Sequence, residues 1–393
     1  MIDIPRRATL ALAAGAGAAL SPLVARAQAA PAFRLPLLFP LTGFVALEGK
    51  SQRDGALLAI RDVAAVVRFA PEIIDTATSP EAAATAWQRA ARDGARDGVR
   101  APVAMMGPIL GTQMLALLPQ AADSKLPVLT VSGTARLSEM GNPWFFRFFP
   151  ADGVVKIAHA RYVLETLRAR RPAVVFQTTA YGQSGREALA KAFAEAGTPA
   201  VLEEGVATTV NDFAPVIARA SAAGADALVL HLHSQSTALA IRAARAQAPG
   251  LPIVAGSAMA QPATAALFEP ADLKGVCAET AAMPAAAMDD SRMRAFVEAY
   301  RKEFGGDPDA FAVAEYDAVS MLAAAVAEIA RESGVDKVTG DAVRAKLGAM
   351  RWRGLAMEYK SDGKGNMAHA AMVVCYGGAS RVPDIAARYV PAS

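Results

Sequence analysis

Pro172-Ala173-Val174-Val175-Phe176-Gln177-Thr178-Thr179-Ala180-Tyr181-Gly182-Gln183 is the stretch on which the fold turns. Ala173 to Phe176 are consecutively apolar, so a strand here has no face turned to water. A strand buried on both faces belongs to a parallel sheet covered by helices on each side. The polar residues after it lead into a helical pattern over 184–196, and the same order then repeats. Strands over 173–178, 200–206, 227–232 and 252–255 alternate with helices over 213–223 and 236–248, and a helix over 154–168 precedes them. Such alternation reads as a doubly wound α/β unit. Ligands of open α/β sheets sit beyond the carboxyl ends of the strands. The loops 178–183, 231–236 and 256–261 are therefore candidate walls of a site.

Upstream the pattern occurs once more, with strands over 33–40, 72–75, 102–106 and 127–131 and helices over 49–69, 80–93 and 112–123. In the first helix Ala56, Ile60, Val63, Ala64 and Val67 recur at helical spacing and mark one buried face. Ser79-Pro80-Glu81 is a helix start: a capping hydroxyl, a proline in the first turn and an acid at the positive helix end. This unit adds the loops 41–50, 107–112 and 132–134. The tail differs, with helices near 291–304, 311–333 and 341–350 before a glycine-rich turn, Ser361 to Gly365, that reads as a hairpin. The fold class is α/β: two doubly wound parallel-sheet lobes, the chain crossing between them more than once.

At 393 residues the chain is long enough for two cores, and 53% hydrophobic against 20% charged residues fits packed globular structure. The net charge is +3, of which residues 1–29 carry +2 through Asp3, Arg6, Arg7 and Arg26. The basic residues that remain are scattered. A nucleic acid or an anionic membrane surface would require a basic stripe, so neither is an expected partner. Arg6 and Arg7, the apolar run 8–20 and the small-x-small sites ending at Ala27 and Ala29 order themselves as a signal peptide over 1–29. The paired arginines lean towards twin-arginine export to the periplasm. That run is short for a bilayer, and no later segment is expected to reach the length needed to span one.

Enzyme motifs fail on spacing. Gly43 to Lys50-Ser51 lies where a phosphate loop would lie, but five residues separate Gly43 from Gly49 where four are needed. His231-Leu232-His233 points two imidazoles the same way from a strand end, yet a zinc site needs a third ligand, and His159 and His369 lack metal spacing. No metal, cofactor or nucleophile–base pair is expected. Cys277 and Cys375 leave two states open, one disulfide or two buried thiols.

The loops carry a resemblance. Pro40-Leu41-Thr42-Gly43 with Asp54-Gly55-Ala56, Asp75 to Ala82, Gly107-Pro108 and Leu126-Pro127-Val128 before Ser132-Gly133-Thr134 are its first pieces. Phe146-Arg147 with Pro150 and Asp152, Tyr181-Gly182, Asp212-Phe213 and Tyr316-Asp317-Ala318 complete it. In this order the chain resembles the branched-chain amino acid-type periplasmic binding proteins, the type I solute receptors of ABC importers. The resemblance implies the type I periplasmic binding protein fold with a multi-strand hinge, here 32–149 plus 280–370 as one lobe and 150–279 plus 371–393 as the other. It implies a monomer that captures a small solute and hands it to ABC permease subunits. Thr112, Ser132 and Thr134 would hold the solute's polar end, and Tyr181 would close over it from the opposite lobe. Phe44, Gly111, Gly133, His233 and Ser257 would form the cleft rim.

Two departures bear on the solute. Many relatives carry serine where Gly111 stands. The loop Gly256 to Pro262, where amino-acid binders place an acid for the ammonium, has none before Glu269. A buried ammonium without a counter-charge is costly. A carboxylate without an amine, aromatic or otherwise, or a neutral amide thus competes with an amino acid. The alternative roles are a ligand sensor or co-receptor using the same cleft and, with least support, an α/β enzyme.

Overall fold

The computed structural model describes residues 32–389. The expected signal peptide, and the last residues of the span 371–393, lie outside the described residues. Five parallel strands form the first sheet in the order β2-β1-β3-β4-β5. They are β1 (Ala32–Phe39), β2 (Arg68–Asp75), β3 (Met105–Met106), β4 (Val128–Thr130) and β5 (Phe145–Arg147). Side chains of β1 alternate between two cores: Phe33, Leu35, Leu37 and Phe39 enter one, and Leu38 enters the other with Met105, Val128 and Phe145. That two-residue period is why a continuously apolar strand requires helices on both faces. Those helices are α1 (Ala46–Asp62), α2 (Pro80–Arg92), α3 (Gly111–Ser124) and the short α4 (Arg136–Glu139). Ser79 caps α2 as expected, its Oγ accepting the Ala82 N–H at 3.1 Å.

The second sheet runs β14-β13-β10-β9-β8-β6-β7. Its members are β6 (Pro172–Gln177), β7 (Leu202–Val206), β8 (Ala227–His231), β9 (Ile253–Ala255), β10 (Val276–Thr280), β13 (Ala371–Cys375) and β14 (Asp384–Tyr389). It too has a core on each face, with Val175, Leu228, Leu230 and Ile253 on one and Val174, Val229 and Val254 on the other. The helices α5 (Asp152–Arg161), α6 (Ala180–Glu195), α7 (Ala214–Ala222), α8 (Ser234–Gln247) and the short α9 (Pro262–Ala265) accompany it. α10 (Ser291–Phe304), α11 (Ala310–Ser333) and α12 (Gly340–Ala349) return to the first sheet's side, and β11 (Arg351–Arg353) pairs with β12 (Glu358–Lys360). The chain thus passes between the sheets after β5, after β10 and again before β13.

Four expectations are corrected. The second sheet is mixed, because β13 and β14 run antiparallel to their neighbours. The first helix ends at Asp62, not 69: β2 starts at Arg68 and pairs with β1 residue by residue, so sheet pairing overrides the helical spacing of Val63 to Val67. The turn at 361–365 reverses the chain, with Lys360 N–H on the Met367 carbonyl, but the paired strands lie before it, at 351–353 and 358–360. Finally, α11 has the length and mean hydropathy, 1.5, of a membrane span. Of that apolar window 83% is buried, as expected for a helix packed as core between α1 and α12. Cys277 and Cys375, directly paired across β10 and β13, form a disulfide.

Candidate functional site

Between the two sheets lies a cavity. Val45, Glu48, Ile109, Leu110, Val131 and Gly133 line it from the first lobe. Asp152, Val155, Tyr181, His233, Ser257 and Ala258 line it from the second, and Phe149 and Phe311, 5.0 Å apart between ring centroids, close one side. The walls are mainly aliphatic and aromatic, with few polar groups, as in sites that bury a small organic solute.

Buried side chains fix each wall. Gln52 on α1 donates to the Gly107 carbonyl and to Glu315, each at 3.0 Å, and accepts the Ile109 N–H at 2.8 Å, which pins the loop entering α3. Arg147, at the end of β5, donates to the carbonyls of Ser132, Gly133 and Thr134 at 3.3, 3.1 and 2.7 Å. Burial pulls this guanidinium down to about 10, which leaves it charged at neutral pH. Opposite, Thr179 caps α6, and Tyr181 follows in its first turn. The His231 ring sits 3.9 Å from that of Tyr181, and its Nε2 bonds the Tyr181 carbonyl at 3.0 Å. Gly185 permits this approach: a Cβ there would lie 2.0 Å from His231 Nε2.

Two contacts tie the 132–135 loop to the second lobe. The Asp152 N–H donates to the Gly133 carbonyl at 2.7 Å, and the Ala135 N–H donates to Ser184 Oγ at 2.8 Å. Asp152 Oδ2 is buried without a partner. Burial pushes this acid up to about 7, against the pull of nearby Lys156. Lys156 pairs with Glu279, both fully buried. Glu279 also accepts the Ser257 N–H at 3.0 Å and its hydroxyl at 2.8 Å. Burial drives His231 well below the usual imidazole range and His233 down to about 4, so both rings are neutral. Among the described residues no group of three or more histidines, cysteines or acids could hold a metal.

Of the residues singled out from sequence, Gly133, Tyr181, His233 and Ser257 line this cavity together. The Ser257 hydroxyl proton is committed to Glu279, so Ser257 presents its backbone edge. Thr134 lies beside the cavity on the groove that also takes in Ala135 and Ser184, and its Oγ1 is buried without a partner. Ser132 is buried beneath the loop with its hydroxyl likewise unpartnered, and Thr112 is half-buried; neither lines the cavity. Gly111 packs against Thr134. Phe44 stands at a smaller neighbouring pocket shared with His233 and Gln177, its ring 5.2 Å from that of His233. Sequence reasoning gave Glu48, Asp152 and Glu279 no role. Glu279 had one signal, a lone acid inside the apolar strand Val276-Cys277-Ala278-Glu279-Thr280, where a charge needs a buried partner.

The family model described as periplasmic binding protein matches residues 32–378. The chain belongs to that family. This binding protein is 23% identical over 355 residues to the leucine-, isoleucine-, valine-, threonine- and alanine-binding protein of Pseudomonas aeruginosa, covering 88% of this chain and 91% of that one. In fold it is similar to a leucine-binding protein of Thermotoga maritima, with TM-score 0.79, 22% identity and 91% and 99% of the two chains covered. A solute-binding protein of R. palustris in complex with benzoate gives TM-score 0.81 at 17% identity, covering 92% and 97%. The binding protein acts outside the cytoplasm, in the periplasm, as a solute receptor.

Proposed function

We propose that the solute is a small amino acid with an apolar side chain, gripped between the 132–134 loop and Tyr181 and delivered to ABC permease subunits. The observation that carries this reading is the Asp152 carboxyl: wholly buried, at the cavity wall, with Oδ2 unpartnered. A buried acid of this kind is best satisfied by an ammonium. The solute's carboxylate would lie towards the first turn of α3 and the loop at Gly133, since a helix N-terminus favours an anion by about 0.3–1 kcal/mol. Its side chain would rest on Val45, Ile109, Leu110 and Phe311. The names of the Pseudomonas and Thermotoga relatives agree with this class. We take the protein as a monomer with lobes 32–149 plus 280–370 and 150–279 plus 371–393.

A second reading, an aromatic or aliphatic carboxylate without an amine, draws on one observation. Ser257 and Ala258 line the cavity from the loop where an ammonium-pairing acid was sought, and that loop holds none. The benzoate complex of similar fold is its precedent. A matched panel separates the readings: L-leucine, its oxo-acid 4-methyl-2-oxopentanoate, L-leucinamide and benzoate. Stabilisation by leucine and by neither oxo-acid nor benzoate supports the amino acid. The reverse order supports the carboxylate, and no shift with any of the four contradicts both.

A further inference from the structure

A second group of buried side chains joins the lobes beside the cavity. Glu48 on α1 and Asp309, which caps α11, belong to the first lobe; Ser234 at the start of α8 and Gln261 belong to the second. Ser234 Oγ lies 2.6 Å from Glu48 Oε1 and 2.7 Å from Gln261 Oε1. Gln261 Nε2 lies 2.7 Å from Asp309 Oδ2, which also accepts the Ser51 hydroxyl at 2.6 Å. All four side chains are buried.

Counting protons along this chain gives one too few if both acids are ionised. With the Gln261 amide donating to Asp309, its oxygen needs the Ser234 proton, so Glu48 must donate to Ser234. With the amide turned over, its nitrogen donates to Ser234, which donates to Glu48, and Asp309 must then donate to the amide oxygen. Either way one acid is protonated, because a hydroxyl has a single proton and a carboxylate none. Burial raises both acids, and the charge of Asp309 raises Glu48 further.

We propose that closing the lobes over a solute takes up one proton, shared between Glu48 and Asp309. This rests on the solute-capture reading above. When the lobes part, Ser234 and Gln261 leave, water reaches both acids, and both ionise near neutral pH. The proton belongs to the closed state, so closure strengthens as pH falls. Glu48 also lines the cavity, with Oε2 unpartnered, so the bridge senses whether the space is occupied.

Other titratable groups face this bridge and must be separated from it. Asp152, Tyr181 and His233 share the cavity with Glu48, and the Lys156–Glu279 pair lies behind them. On the outer side Asp54 is held by Lys50 and Arg53, Tyr300 faces Asp309, and Glu315 on α11 is tied to Gln52. All of these are unchanged in Glu48→Gln, whose amide donates to Ser234 and completes the chain without an added proton.

Titration calorimetry with L-leucine near neutral pH, in phosphate and in Tris, reads the protons exchanged. The wild type should take up about one proton more per leucine than E48Q, with affinity rising up to about tenfold more per pH unit of acidification. Equal proton uptake in wild type and E48Q overturns the proposal. If leucine gives no heat, the amino-acid reading fails and ligand-free scattering decides. Compaction of the wild type on acidification, with E48Q compact throughout, supports the shared proton; identical profiles overturn it.

Discussion

The side chain of Thr134 occupies the space that a side chain at position 111 would need: a Cβ at Gly111 would lie 2.1 Å from Thr134 Oγ1. Gly111 is therefore coupled to a threonine on the facing loop. Gly111→Ser should destabilise the protein by about 1–3 kcal/mol through overpacking. Adding Thr134→Ala should recover most of that loss. A double-mutant cycle of thermal or denaturant unfolding measures the coupling, which should exceed about 0.5 kcal/mol.

Asp152→Asn keeps the N–H on Gly133 but removes the charge offered to an ammonium. Affinity for L-leucine should fall by roughly tenfold to a hundredfold, the worth of a charged hydrogen bond. Affinity for 4-methyl-2-oxopentanoate should hold or rise. Calorimetry on the two solutes checks the contrast.

How much of this was legible in the chain follows from the range of the forces involved. The two sheets were readable because their central strands are apolar on both faces, a local signal, as at Val174 and Val175. The end of α1 was not: Val63 to Val67 keep helical spacing, and only pairing with a strand some thirty residues upstream commits Arg68 to β2. The loops that carry Gly133 and Tyr181 were legible because the strand ends point to them, and the resemblance singled out the residues within them. The acids were missed because their roles come from partners remote in sequence, Lys156 with Glu279 and Glu48 with Ser234. No local pattern encodes such pairs.

Glu315, fully buried behind Gln52, is pushed up to about 8 by desolvation. Its folded value lies above its unfolded one, so the neutral acid is the form that folding favours. That contribution is complete below about pH 4 and is lost as pH rises through about 8. Glu315→Gln should therefore raise the melting temperature by a few degrees at alkaline pH and hardly at all under acid conditions. Melting curves across that range test the sign.

The Cys277–Cys375 bond closes a loop of 98 residues in sequence separation and joins two strands of the second sheet. Replacing both cysteines with serine should cost about 2–5 kcal/mol of stability. Solute affinity should stay within about twofold, because the pair packs against Tyr162 and away from the cavity. Reduction followed by mass measurement and unfolding checks both statements.

The grip of two lobes on one guest is most directly tested by native mass spectrometry of the folded protein with L-leucine, its oxo-acid, leucinamide and benzoate. One member of that set should add to the protein at one molecule per chain, and Gly133→Trp, which fills the space beside Asp152 and Tyr181, should abolish the adduct while the protein stays folded. An adduct that persists undiminished in G133W, or the absence of any adduct on well-folded wild type, would contradict it.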